Sequence, residues 1–356
     1  EQYSRQAQQV AYQHSRKVLQ RIQVVFYDMT SLYFEAEEED DLRKIGFSKD
    51  GKFQNPQILL GLLVGEGGYP IGYDIFEGNT FEGKTLLPVL KGIQERYGFG
   101  KPVVVADAAM LRKENLDELD AQHYPFIVAA RIRNESQAMQ EEILLRCSGL
   151  KDGQSVEVPH EKGRRLIVAY SDKRARKDAH NRQRGLAKLR RRVNSGRLTK
   201  EYLNNRGYNK FLKLTGEVAV EIDESKVQQA AAWDGLKGYL TNTDMLPKDI
   251  IENYGHLWHV EKAFRISKTD LRIRPMYHRR QRRIEAHVLV AFVAYTIYKE
   301  LERRLKLAGL LISPQRAAEL TQTMYEMTFR LPNDPEPRRV LLQMDDDQRR
   351  LCGLFG

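Results

Sequence analysis

The pair Gly67-Gly68 sits between two apolar runs, Gln57 to Glu66 and Tyr69 to Glu77. Glycine adopts positive φ without a steric cost, so this pair closes an antiparallel hairpin. The earlier run Arg21 to Glu35 (RIQVVFYDMTSLYFE) is dominated by β-branched and aromatic residues and adds a third strand to the meander. Both of its faces are largely apolar, which places it inside a sheet. Gly78-Asn79 then breaks the pattern, and Leu86, Leu87, Leu90 and Ile93 repeat at helical spacing between Lys84 and Tyr97. Pro102 to Asp107 and Phe126 to Arg131 are short buried strands, separated by a helix over Lys113 to Gln122. Strands joined through a helix run parallel, whereas the hairpin strands run antiparallel. The expected fold class is therefore α/β, a mixed sheet with helices on its faces.

From Ile132 to Ala232 the pattern changes. Short strands are expected at Gln154 to Val158, Arg164 to Tyr170 and Glu217 to Ile222, around a helix over Asp172 to Val193 with little apolar surface. Asn194-Ser195-Gly196 breaks that helix. This region reads as a β-rich insertion with a basic helical arm. Lys237 to Thr241 returns to the sheet, and Pro247 opens a late helix at a position where proline is tolerated. Ile284 to Leu305 is a long amphipathic helix, and the tail from Ser313 onward is helix and loop. The expected division is 1–20 as an N-terminal linker helix, 21–131 and 233–305 as two parts of a catalytic core, 132–232 as the insertion, and 306–356 as a helical tail. The chain opens on Glu1 and lacks the apolar stretch of a signal peptide, so it reads as a fragment missing an N-terminal portion.

Charge is the next constraint. The formal net charge is +10, yet Lys173 to Lys213 holds 15 Lys and Arg against two acids, Asp178 and Glu201. A near-neutral body with one concentrated basic arm points to a polyanionic partner; the plainer reading is a solvated charged face. No apolar run reaches the ~18 residues of a membrane span, and Ala286 to Tyr298 reads as a core helix. The two cysteines, Cys147 and Cys352, suggest a reducing compartment and exclude a cysteine-based zinc site of the usual spacing. There is no Gly-x-x-x-x-Gly-Lys-Ser/Thr loop and no serine or cysteine elbow, which removes phosphate-loop hydrolysis and nucleophilic acyl chemistry.

Three carboxylates carry the remaining signal. Asp28 interrupts a buried strand, where a carboxylate is costly unless it faces a cavity or binds something. Asp107 ends the strand Pro102 to Asp107, at the tip where open α/β sheets bind ligands. In Tyr254 to Lys268 (YGHLWHVEKAFRISK), the residues Tyr254, Trp258, Glu261, Arg265 and Lys268 follow four-three-four-three steps and share one helical stripe. Leu257, Val260 and Phe264 lie beside it and are expected to be buried. Each feature has a structural alternative: a turn-capping Asp, a surface Glu-Arg pair, or, for Trp233 and Tyr239, ordinary core aromatics. Three carboxylates at one point require divalent cations to stay ionised together. Oxygen donors of this kind suit Mg²⁺ or Mn²⁺, and two such ions support in-line phosphoryl transfer.

These residues, from YDMTSLYFE (Tyr27 to Glu35) through VVVADAAM (Val103 to Met110) to the late helix, resemble a DDE transposase of bacterial insertion sequences. The resemblance is to the insertion-sequence-four superfamily and its 1634-type branch. It implies a ribonuclease-H-like fold with a β-rich insertion before the last acid. The family's acids fall on Asp28, Asp107 and Glu261, which are implied to be catalytic and to hold two Mg²⁺ or Mn²⁺ ions. Its signature Tyr and Lys fall on Tyr254 and Lys268, and Tyr254, Trp258, Arg265 and Lys268 are expected to bind DNA. The signature Arg falls on Leu257, and Trp258 or Arg265 stands on the same stripe to replace it. The implied partners are double-stranded DNA, as transposon ends and target, and a second copy in the DNA complex, in the bacterial cytoplasm. Arg174, Arg176, Lys177, Arg182, Arg184, Arg190, Arg191 and Arg192 are expected to hold phosphates, which positions DNA without reading its sequence. Trp233 and Tyr239 are candidates to stack on a displaced base. Two other functions remain open: a ribonuclease-H-like nuclease or resolvase that cuts without joining, and a non-catalytic DNA-binding remnant.

Overall fold

The computed structural model describes residues 2–48, 51–98, 100–108, 113–195, 204, 206–215, 219–331 and 336–354. Ala109 and Met110, the helix breaker Gly196, Glu201 of the basic arm, and Glu217 and Val218 of an expected strand lie outside the described residues. In chain order the first elements are α1 (Gln2–Leu19), β1 (Val24–Tyr33), β2 (Gln57–Gly65), β3 (Pro70–Glu77), α2 (Leu86–Tyr97), β4 (Val103–Ala106), α3 (Lys113–Ala121), β5 (Phe126–Ala130), α4 (Gln137–Cys147), β6 (Ser155–Pro159) and β7 (Arg165–Tyr170). They are followed by α5 (Asp172–Asn194), β8 (Leu212–Thr215), β9 (Ala219–Ile222), α6 (Glu224–Ala231), β10 (Leu236–Thr241), α7 (Pro247–Gly255), α8 (Trp258–Thr269), α9 (Gln281–Leu307), α10 (Pro314–Thr321), β11 (Glu326–Phe329), β12 (Arg338–Leu341) and α11 (Asp346–Cys352). The architecture is mixed α/β, as the element order implies. The chain divides into two compact units: Glu1–Gly100 with Leu257–Gly356, and Lys101–His256.

The first unit is built on the meander. β1 pairs antiparallel with β2, from Val25 opposite Gly65 to Tyr33 opposite Gln57, and β2 pairs antiparallel with β3. Every residue of β2 is buried, as expected of a central strand covered on both faces. Gly67 and Gly68 close the hairpin with φ of 65° and 80°, the left-handed region that a side chain rarely adopts. Tyr27 points to the α2 side and donates its hydroxyl to Thr85 Oγ1 at 2.9 Å. Across the strand, a Cβ on Gly61 would meet that hydroxyl oxygen at 2.4 Å, so glycine makes room for the Tyr27 ring. The opposite face, carrying Phe26, Leu62 and Tyr73, is covered by α8 and α9; Tyr73 stacks obliquely on Phe292 at 4.9 Å. Toward the C-terminus, Leu305, Ala317, Leu320 and Leu351 form a small separate core. The tail also contains the antiparallel ribbon β11–β12, where the sequence predicts only helix and loop. Its strands are almost wholly exposed, so they lack the half-buried alternation by which a strand is recognised.

In the second unit β4 and β5 are parallel, and β5, β10, β7 and β6 follow as antiparallel neighbours. β6 and β7 thus extend the same sheet as β5 and β10. Arg164, at 2% exposure, holds Asp117 and Asp120 of α3 at 2.5 and 2.7 Å. Asn242 joins the same cluster by donating to Asp120 at 2.8 Å. A buried guanidinium with two carboxylates is tolerated because Nε donates to Asp120 and Nη2 to Asp117 in charge-assisted hydrogen bonds. α5 has its own core: Leu186 and Leu189 are buried against Phe211, Leu212 and Val220 of the β8–β9 ribbon and the turn before it. The expectation that this helix has little apolar surface is corrected here. The two leucines fall three apart on one stripe, and the surrounding arginines mask them in any average of hydrophobicity.

Candidate active site

Alternation along β1 puts Phe26 and Asp28 on one face and Tyr27 and Met29 on the other. Phe26 meets His259 of α8 edge-on at 5.8 Å, so α8 rests on the face that carries Asp28. Asp28 is partly exposed in a strand that is otherwise almost wholly buried. Its Oδ1 accepts the Met29 N–H at 2.7 Å, which orients the carboxylate. Glu261 stands in the first turn of α8, where the helix dipole favours a negative charge. Val260, Ala263, Phe264 and Ser267 are the buried edge of α8, whereas Trp258, Glu261 and Arg265 are exposed and Lys268 is half-buried. The predicted stripe therefore exists on α8 and faces outward. Leu257 is buried at 8% exposure, as its spacing requires.

Tyr254 is the exception, and the single helix expected from Tyr254 to Lys268 is corrected. α7 ends at Gly255 and α8 begins at Trp258. His256 and Leu257 keep right-handed backbone angles, φ −80°, ψ −1° and φ −56°, ψ −24°. The helical ladder nevertheless tightens here, with the Val260 N–H donating three residues back to Leu257 O. Gly255 lowers the cost of the interruption, since glycine disfavours a helix interior by ~1 kcal/mol. Because the intervening residues still advance as a helix, periodicity alone does not register the break. Tyr254 belongs to the second unit and is buried at 8% exposure, its ring 5.1 Å from that of Tyr239.

Asp107 follows β4 and is exposed. Its Oδ1 accepts the Ala108 N–H at 2.6 Å, the same local clamp as at Asp28. Ala106 is level with Val128, and Ala129 is opposite Tyr239. Asp107, Ala129 and Tyr239 therefore form one row across three strands on the face that α7 covers. Lys237 lies two residues along that face. Its Nζ is 4.2 Å from the Tyr254 ring centre and 5.2 Å from that of Tyr239. Burial pushes the Lys237 ammonium pKa down, as does the Arg174 charge, while Asp107 pulls it up. Burial also raises the Tyr239 hydroxyl. Lys237 is not among the sequence-predicted site residues, and its one signal in the sequence is a lysine inside an apolar return strand. Tyr239 and Trp233 are both buried, at 6% and 7% exposure, so neither is exposed to stack on a base.

Along α5 the arginines divide by role. Arg182 is half-buried and grips Asp234 with both terminal nitrogens, at 2.5 and 2.6 Å. It fastens α5 to the turn before β10. Arg174 pairs with Asp178 at 3.6 Å and Arg190 with Glu224 at 3.0 Å, both largely exposed. Arg176, Lys177, Arg184, Arg191 and Arg192 are exposed. The burial of Arg133, whose guanidinium pKa is lowered by desolvation, adds a further positive group near Arg182 and Asp234.

Among the described residues, no three Asp, Glu, His or Cys side chains are grouped to hold a metal ion. Asp28, Asp107 and Glu261 each offer carboxylate oxygens of the kind a hard divalent cation takes, and two are oriented by main-chain N–H groups. A soft-metal site is disfavoured at Cys147, which is buried and whose thiol is pushed up to about 11. Among the described residues, no helix is long and apolar enough to cross a membrane.

Comparison with known proteins gives one family. The model of the transposase DDE domain matches residues 20–297, a stretch that contains Asp28, Asp107 and Glu261. No curated protein matches the chain. Among solved structures, the chain is similar to the piggyBac transposase in its synaptic complex with hairpin DNA, with a TM-score of 0.47 and 8% identity, over 83% of this chain and 50% of that one. The chain thus spans half the length of that neighbour.

Proposed function

The chain belongs to the transposase DDE domain family, and from that premise we propose that it cleaves DNA at the ends of a mobile element and joins the freed 3′ ends to target DNA. The family match over 20–297 carries this reading, because it encloses all three candidate acids in the expected order. Transposase DDE domains generally work with divalent metal ions. Asp28, Asp107 and Glu261 are the residues that would hold Mg²⁺ or Mn²⁺, two ions in the fullest form. When bound, such ions activate a water or 3′-hydroxyl and stabilise the departing oxygen. The protein's own contribution is to orient carboxylates: main-chain N–H groups fix Asp28 and Asp107, and the first turn of α8 presents Glu261. Arg265 and Lys268, one and two turns further along, would take backbone phosphates beside the scissile bond, with Trp258 on the same side. Arg176, Lys177, Arg184, Arg191 and Arg192 would hold the duplex through phosphates alone. Tyr254, Glu261 and Lys268 support assignment to the insertion-sequence-four superfamily, with its ribonuclease-H-like core and a dimer on DNA.

The test uses the full-length chain, a duplex carrying the element's terminal sequence, and Mg²⁺. Asp28→Asn, Asp107→Asn and Glu261→Gln should each abolish cleavage while retaining DNA binding. Cleavage that survives in any one of them removes that acid from the reaction. Cleavage without joining by the unmodified protein would identify a nuclease or resolvase instead.

A further inference from the structure

Lys237 has a setting that packing alone does not explain. It is the one charged residue of β10, whose other five residues are buried. Its ammonium lies against two aromatic faces, Tyr254 at 4.2 Å and Tyr239 at 5.2 Å. These rings are set edge to face at 5.1 Å and 64°, so they form a corner rather than a stack. Such a corner attracts a cation through the ring quadrupoles, and it stops a flexible side chain from sampling other rotamers. Among the described residues, no carboxylate lies within 4.0 Å of the Lys237 ammonium. Yet the strand register sets Lys237 on the same face as Asp107, one side-chain step from the row that Asp107 occupies, roughly 7 Å along the strand. Arg174 and Asp107 are the two charges that act on it. Desolvation and the Arg174 charge both disfavour the half-buried ammonium, and Asp107 only partly offsets them, so the position favours an incoming anion. Asp107 alone is not that anion, since it does not close on the lysine. A phosphodiester meets that requirement: its non-bridging oxygens accept from the ammonium, and the register sets Lys237 one step from the row of Asp107.

We propose that Lys237 is a DNA-phosphate ligand of the reaction centre, holding a non-bridging oxygen of the phosphodiester at or next to the scissile bond, and that Tyr239 and Tyr254 are positioning residues that aim it. This rests on the reading of Asp107 as a catalytic acid. It also gives the buried Tyr254 a role that does not require it to touch DNA.

The test is cleavage of the element-end duplex by the full-length chain with Mg²⁺. Lys237→Met keeps an apolar stem between the two rings and removes only the charge. At saturating DNA it should slow cleavage by about 100-fold, the scale for loss of one donor to developing charge, while its melting temperature and DNA affinity stay close to those of the unmodified chain. Lys237→Arg should recover part of the rate. A set of duplexes, each with one methylphosphonate near the cut, supplies the second readout. At one position the neutral linkage should slow the unmodified protein and add nothing to the loss in Lys237→Met. Tyr254→Ala should lose rate in the same step, and Tyr254→Phe, which keeps the ring face under the ammonium, should rescue most of that loss. If Lys237→Met cleaves at the full rate while Asp107→Asn is inactive, the assignment of Lys237 is wrong and that of the acids stands. If the losses add at every methylphosphonate position, Lys237 is structural and the proposal fails. If Asp107→Asn itself cleaves normally, both assignments fall.

Discussion

Arg182 separates a structural arginine from a phosphate-binding one. Its guanidinium grips Asp234 through two hydrogen bonds of 2.5 and 2.6 Å, and the two side chains are only 16% and 14% exposed. Arg182→Ala leaves the Asp234 carboxylate mostly out of water with its main partner gone. Removing one partner of this half-buried charged pair costs about 1.5–3 kcal/mol, which for a body of this size lowers the melting temperature by roughly 3–12 °C. Replacing both partners, Arg182→Met with Asp234→Leu, removes the stranded charge as well as the attraction. The double variant should therefore recover most of the loss, because an apolar pair of similar volume replaces a buried ion pair at little net cost. Arg184→Ala, two residues on and exposed, should alter stability by less than about 0.5 kcal/mol while weakening DNA binding. Thermal unfolding of the four proteins, with DNA affinity at fixed salt, resolves the two roles. If Arg182→Ala melts with the unmodified protein but loses DNA affinity as Arg184→Ala does, the grip on Asp234 does not matter and Arg182 binds phosphate.

Three further outcomes are expected. Neutralising Arg176, Lys177, Arg184, Arg191 and Arg192 together should weaken binding to all duplex sequences alike and reduce the slope of log K against log salt by ~0.9 for each phosphate no longer held; an unchanged slope in a salt titration would return α5 to the status of a solvated face. Leu257→Ala should destabilise the first unit by ~2–5 kcal/mol, whereas Trp258→Ala, at a position 48% exposed, should leave the denaturation midpoint nearly unmoved; equal losses would mean that α8 is turned differently. Glu300 is held at about 2 by Arg303 and Arg304 against the opposing effect of burial. Its contribution to stability is therefore present above the unfolded-state value near 4.5 and is lost as pH falls from there toward 2. Glu300→Gln should flatten the fall in melting temperature over that window, and parallel curves for the two proteins would exclude the interaction.

The elements were legible because their signals are local. Gly67-Gly68, the alternation through Tyr27 and Asp28, and the leucine spacing in α2 each report backbone angles and one buried face within a few residues. The order of the acids along the chain is local in the same sense. Two of them also carry their own clamp, a carboxylate accepting the next residue's N–H. The exposed stripe of Trp258, Glu261 and Arg265 follows from 3.6-residue periodicity once α8 exists.

Other properties depend on partners far away in the chain. Arg182 reads as one more cation of a basic run until Asp234, 52 residues later, turns it into a fastener. Arg164 becomes a core residue only through Asp117 and Asp120, 47 and 44 residues earlier. Lys237 is a lone lysine in a short strand until the Tyr239 and Tyr254 rings meet its ammonium. Tyr254 has the period of the α8 stripe, and only the burial of its ring against Tyr239 assigns it to another body. The sequence by itself determined which segments fold as strands and helices and which residues carry acid and base, because those depend on short-range sterics and on the side chains themselves. The tertiary structure alone decided which charges are spent on one another and which remain open to a ligand, because Coulomb attraction and desolvation depend on distance and burial, and neither is a function of position along the chain.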